Sequence, residues 1–281
     1  MKHSQTEPHY QAATNDKLDE ALASHPRPAR PNALSASLTF AWRALLKIKH
    51  IPEQLFDVTV FPVIFLLMFT YLFGGAIAGS TGDYLHFLLP GILVMTVTMI
   101  TMYTGIDLNN DITKGVFDRF RTLPIWLPAA LVGALLVDVV RYSIASTIII
   151  GLGFLLGFRP DGDVGGMLGA VAVLLFFSFS LSWVWTTLGL IMRSEKSLMM
   201  VSMMIMFPFT FVSNVFVDPA TLPSWLESFV DVNPISLVVE AVRGLMHGTA
   251  TSEQIGWALL SSFIIMVIFA PLTMYLYRNK K

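Results

Sequence analysis

Five stretches of this chain run for 21 residues or more without a single Asp, Glu, Lys or Arg: 58–82, 84–106, 164–192, 197–217 and 254–277. A helix needs about 20 mostly apolar residues to cross the hydrocarbon core of a bilayer. Lipid offers backbone groups no water to bond, so only closed helices or barrels span it. Five such runs exclude an ordinary soluble domain. Composition agrees, with 54% apolar and 13% charged residues, against about 45–50% and 25% in a soluble domain. The expectation is an all-α integral membrane protein.

A sixth run, 127–157, is broken only by Asp138 and Arg141. These stand at i and i+3, share a helix face and can neutralise each other. The run has 31 residues, a rise of roughly 46 Å. That exceeds the core thickness, so the pair can lie at inner-leaflet depth, and it reads as structural. The expected domain is 55–281, with spans at 56–78, 85–107, 127–157, 167–192, 197–217 and 254–277.

Lysine and arginine set the orientation. Fifteen of the eighteen lie before the first span, between spans two and three, between four and five, or after the last. Only Arg159 and Arg243 fall on the other side. Both termini are therefore expected in the cytoplasm, which an even number of spans also requires. Net charge is −1 and cysteine is absent, so nothing points to nucleic acid, a disulfide framework or a thiolate metal site. The six histidines show no metal-ligand spacing.

Residues 1–33 are polar, Pro-rich toward their end, and read as a disordered cytoplasmic tail. Residues 34–51 follow as an amphipathic interfacial helix. Leu38, Ala41, Leu45 and Ile48 form one face, and Arg43, Lys47 and His50 the other. That helix is either an anchor or a contact surface for another protein. The connection 109–125 carries Val116, Phe117, Phe120 and Leu123 among Asp118, Arg119 and Arg121. It reads as a short amphipathic helix, packed on its own spans or seated in a cytoplasmic partner.

The outer segment 218–250 holds a second short helix, interfacial or re-entrant. Asn233 is its N-cap, Pro234 its first residue and Gly248 its stop. Glu240, Arg243 and His247 form its polar face. Two methionine faces remain inside the membrane. Met95, Met99 and Met102 recur on the second span, and Met199, Met203 and Met206 with Phe207 on the fifth. Methionine suits promiscuous binding surfaces, although such stripes also fill gaps between helices or face lipid. Gly153 and Gly157 permit close helix approach.

Three motifs in order resemble the ABC-2 type permeases, the membrane subunits of ATP-binding-cassette exporters, and among them the daunorubicin-resistance-like drug exporters. They are Leu89-Pro-Gly-Ile92, Lys114-Gly-Val-Phe-Asp-Arg-Phe-Arg-Thr-Leu-Pro124, and Leu222-Pro-Ser-Trp-Leu226 followed by Asn233-Pro234 and Arg243-Gly244. The likeness covers roughly residues 35–280. It implies a multi-pass protein of a prokaryotic plasma membrane that exports drugs or other amphiphilic small molecules by alternating access. It also implies a cytoplasmic nucleotide-binding ATPase subunit, holding ATP and Mg, docked on Lys114, Gly115, Val116, Phe117, Asp118, Arg119, Phe120 and Arg121, and on the helix bearing Arg43 and Lys47. A second permease chain, identical or related, is implied as well, with the substrate path lined by the second and fifth spans. Pro124 closes the docking loop. No cofactor is expected in this chain, which lacks any Gly-Lys dipeptide and hence a phosphate-cradling loop. The rival readings are export of a lipid or a glycan and, with Asp107 or Asp138 as the titrating group, a transporter driven by an ion gradient. No His/Asp/Glu or serine constellation suggests an enzyme.

Overall fold

The computed structural model describes residues 52–116 and 129–280, preceded by the isolated residues 32, 37, 39, 41 and 42. Among the described residues every regular element is helical. In chain order these are α1 (Pro52–Met68), a π-helical turn (Phe69–Phe73), α2 (Gly74–Ala78), α3 (Thr81–Ile100), α4 (Met102–Thr113), α5 (Ala129–Leu156) and α6 (Val164–Ile191). Then come α7 (Glu195–Phe211), a 3-10 turn (Pro219–Thr221), α8 (Ser224–Val232), α9 (Pro234–His247) and α10 (Ser252–Asn279). Five helical stretches are long and apolar enough to cross a membrane: Val60–Ala78, Thr81–Thr113, Leu131–Leu156, Val164–Ile191 and Ser252–Asn279.

Local chemistry explains where the helices begin. Ser80, Asp163 and Ser194 each accept a backbone N–H three residues on, from Asp83, Gly166 and Ser197. Thr251 and Gln254 form a reciprocal capping box at the start of α10. Each cap satisfies a donor that lipid cannot. Within the spans, hydroxyls bond back to the carbonyl four residues earlier, as Ser180 does to Phe176 at 2.8 Å and Thr186 to Ser182 at 2.6 Å.

The α3–α4 rod is the centre of the bundle. Some 83% of its most apolar window is buried, against 33% or less in the other four spans. Around it, α6 is the hub, packing on α3, α4, α5, α7, α9 and α10. Exposed Phe263, Ile264, Val267 and Ile268 on α10 suit a lipid-facing flank. Small residues bring α4 and α6 together. A Cβ on Gly105 would lie 2.3 Å from the Trp185 carbonyl oxygen, and one on Gly189 would lie 2.5 Å from the Gly105 oxygen. The Trp185 indole N–H donates to Thr101 Oγ1 at 2.8 Å, beside the short break between α3 and α4.

Several boundaries differ from the sequence reading. The second span continues to Thr113, because Asn109 is buried and its amide donates to the carbonyls of Gly189 (2.9 Å) and Met192 (2.8 Å) at the end of α6. The 197–217 stretch holds a helix of 17 residues, Glu195–Phe211, with a rise of about 26 Å. It stops early because its last carbonyls are taken by side chains. Ser213 Oγ donates to Thr210, and the Asn233 amide donates to Phe209 and Val212, both at 2.7 Å. Pro208 lies in the last turn of α7. Gly153 packs on Leu89, 2.6 Å from where its Cβ would stand, whereas Gly157 adopts φ +100° just past the end of α5.

Candidate functional site

Four helices, α1, α3, α4 and α7, line an apolar cavity of ≈ 280 Å³. From α1 come Phe61 and Pro62; from α3 and α4, Met99, Met102, Tyr103 and Ile106; and from α7, Met199, Ser202, Met203 and Phe207. Spacing of three and four residues places the α3–α4 set and the α7 set each on one helix face. Met199, Met203 and Phe207 are 46%, 37% and 53% exposed, so the cavity opens on the flank of the bundle. Five of the seven residues expected on a substrate path therefore share one cavity. The other two, Met95 and Met206, are buried in the main core.

A chain of aromatic rings stiffens this wall. It starts at the cavity with Phe61, passes to Phe65 (4.6 Å between centroids) and on to Phe69 (5.2 Å). It crosses to Phe216 (5.1 Å), then Phe211 (5.3 Å), and returns to the cavity at Phe207 (4.3 Å). Each such pair adds about 0.5–1.5 kcal/mol beyond its buried area. The rings thus tie α1 to the end of α7.

The other side of α4 carries the ionic cluster. Arg141 lies 3.1 Å from Asp138 and 3.6 Å from Asp107. Thr104 donates to Asp138 at 2.5 Å, and Tyr142 and Ser182 share a hydrogen bond of 2.6 Å. The expected pair of Asp138 and Arg141 is thus part of a larger network joining α4, α5 and α6. Removing either partner of a buried ion pair leaves an uncompensated charge, so the network holds α4 against α5. With Met102 and Ile106 on one side of α4 and Asp107 on the other, any shift of α4 changes the cavity and the ionic cluster together.

At the opposite end of the bundle, Asn233 caps α9 by accepting from Ile235 N–H at 3.0 Å, while its amide closes α7. Pro234 fills the first helical position, and Gly248 ends α9 at φ 70°. Glu240 and Arg243 find different partners. Glu240 accepts from the Gln254 amide at 2.7 Å. Arg243 donates to the carbonyls of Phe87 (3.2 Å) and Asn214 (2.9 Å), with its guanidinium 3.9 Å from the Phe87 ring centre. Burial lowers the Arg243 pKa to about 10, opposed by Asp218 and Glu240. It remains charged at neutral pH.

Lys114, exposed, and Gly115, at φ +69°, form the turn after α4, with Val116 beyond it. Arg43, Lys47, Phe117, Asp118, Arg119, Phe120, Arg121 and Pro124 lie outside the described residues. The sequence reading missed Phe61, Pro62, Tyr103, Ile106 and Ser202 in the cavity, and Thr104, Tyr142 and Ser182 in the ionic cluster. One signal was available. Thr104 and Asp107 stand three apart on the side of α4 away from Met102 and Ile106, a polar stripe inside an apolar span.

The ABC-2 type transporter family model matches residues 36–247. The chain belongs to that family. Its relatives include the daunorubicin resistance ABC transporter permease protein DrrB1 of Streptomyces coeruleorubidus, 52% identical over 94% of this chain and 93% of that protein. The "Probable doxorubicin resistance ABC transporter permease protein DrrC" of Mycobacterium tuberculosis (strain H37Rv) is 23% identical over 86% of this chain and 91% of that protein. The doxorubicin resistance ABC transporter permease protein DrrB of the same strain is 24% identical over 74% and 77%. As an ABC-2 family member, the chain is a multi-pass membrane protein.

Proposed function

We propose that the chain is the permease subunit of an ATP-driven exporter that moves aromatic, amphiphilic drugs out of the cytoplasm or the inner leaflet. The observation that carries this reading is 52% identity across almost the whole chain to a permease named for daunorubicin resistance. The cavity supports it. Methionine and aromatic side chains adapt to bulky apolar ligands of varied shape. The same feature disfavours glycan export, since a polysaccharide path needs dense hydrogen-bonding groups.

In this scheme the chain crosses the membrane six times with both termini in the cytoplasm. Helix α7, with the segment 212–217 that follows it, makes the fifth crossing. Helices α8 and α9 lie at the outer face. Lys114 to Arg121, together with the helix bearing Arg43 and Lys47, dock on a separate nucleotide-binding subunit that holds ATP and Mg. A second permease chain completes the path, which Met99, Met102, Met199, Met203 and Phe207 line. The steps of ATP use are transmitted through α4, which leads directly from the docking turn to the cavity.

The test is drug accumulation in cells expressing the chain with its ATPase partner. Met203→Trp, which fills the cavity, is expected to raise cellular doxorubicin to the level of cells lacking the permease, at unchanged membrane abundance. Unaltered export by this variant would refute the cavity as the cargo site.

A further inference from the structure

The cavity is walled by sulfur and carbon except at Tyr103 and Ser202. Hydroxyls in this bundle commonly bond back to the carbonyl four residues earlier. Ser182, Thr187 and Ser262 do so to Ser178, Trp183 and Ala258, at 2.8, 2.8 and 2.6 Å. Ser202 does not. It sits mid-way along α7, is 1% exposed, and its Oγ meets no partner among the described residues. The hydroxyls of Thr70, Thr98, Ser146, Ser178 and Thr210 share that state, but none of them lines the cavity.

A buried hydroxyl left without a partner costs free energy, which a ligand oxygen in the cavity recovers. The rest of the lining selects shape. Phe61, Tyr103 and Phe207 present rings, and the four methionines present polarisable sulfur, which favours flat aromatic systems. A volume of ≈ 280 Å³ lies just below the range of drug-sized sites, roughly 300–1,000 Å³. It suits a compact fused-ring system better than a long acyl chain.

We propose that Ser202 is the hydrogen-bonding anchor of the cavity and selects flat ring systems that carry a carbonyl or hydroxyl on their edge. This rests on the reading that the cavity receives cargo. An apolar site discriminates weakly between similar ring systems, whereas a hydroxyl that needs a partner rejects those lacking one. Ser202 thus sets selectivity, while the methionine and aromatic walls supply most of the affinity.

The test uses a matched pair of radiolabelled probes, 9,10-anthraquinone and anthracene, which share a ring skeleton and differ in two carbonyl oxygens. Equilibrium binding is measured on the full chain in lipid nanodiscs. Ser202→Ala is expected to weaken anthraquinone binding about 3- to 10-fold, the worth of one neutral hydrogen bond, and to leave anthracene unchanged. Ser202→Thr, which keeps the hydroxyl, is expected to retain the preference for the quinone. Met203→Trp is expected to weaken both probes. If Met203→Trp weakens both but Ser202→Ala affects them equally or not at all, the anchor is refuted and the cavity reading stands. If Met203→Trp leaves both probes bound as before, the cavity is not the binding site and the anchor falls with it.

Discussion

Gly105→Ala tests the closest approach in the bundle. The new Cβ would stand 2.3 Å from the Trp185 oxygen and 2.7 Å from its carbonyl carbon. Relief requires α4 and α6 to separate by about 1 Å, and overpacking of this kind costs about 1–3 kcal/mol. The same interface holds the Trp185–Thr101 bond at 2.8 Å and the two Asn109 bonds at 2.9 and 2.8 Å. Stretched by 1 Å these pass beyond hydrogen-bond range, and each contributes about 0.5–1.5 kcal/mol. The total loss is on the order of 4 kcal/mol. Unfolding of the purified chain in bicelles, followed by steric trapping, measures it. Gly151→Ala is the control, because a Cβ there meets nothing within 4 Å; it is expected to be neutral or slightly stabilising. Gly189→Ala strikes the same contact from the other helix, so the double variant should cost clearly less than the two singles together. Equal stability of Gly105→Ala and Gly151→Ala would refute the packing argument, and additive losses would show that the two glycines do not share one contact.

Asn233→Ala removes both the cap of α9 and two donors to the end of α7, so a loss on the order of 3 kcal/mol is expected in the same unfolding assay. Asn233→Asp keeps the cap but sets a carboxylate oxygen against the carbonyls of Phe209 and Val212, so it is expected to cost at least as much as Asn233→Ala. Arg141→Ala removes the cation 3.1 Å from buried Asp138 and is expected to cost about 3–5 kcal/mol; the Arg141→Ala, Asp138→Ala double should recover part of that. Phe117→Asp is expected to abolish export while the chain still inserts, read as loss of ATPase subunit from the detergent-purified complex at equal permease abundance.

The spans were legible where charge and hydropathy alone decide the outcome. An uncharged run of more than 20 residues has few fates other than a crossing, and four of the five such runs coincide with helices long and apolar enough to cross. The fifth, 197–217, holds a helix of 17 residues, and the remaining long helix, Leu131–Leu156, comes from the run broken by Asp138 and Arg141. Helix ends were legible only where the stopping signal is local. Asn233, Pro234 and Gly248 mark α9 at both ends within one short stretch of chain. The end of α7 is set by the Asn233 side chain from more than 20 residues away, which no local pattern reveals. The polar run at 109–113 reads as a loop in sequence, yet Asn109 spends both amide protons on α6 and carries the helix onward. The methionine spacing gave the faces of the cavity but not how the two sets meet, and it set Met95 and Met206 on those faces although both turn into the core. Ser202 carried no signal at all. One serine among methionines reads as filler until its missing hydrogen bond is seen.

The most direct test of the central claim is transport into proteoliposomes holding the purified chain, with or without its ATPase subunit. The account predicts doxorubicin uptake only when that subunit and MgATP are both present. Uptake by the permease alone, driven by a proton gradient without nucleotide, would contradict it.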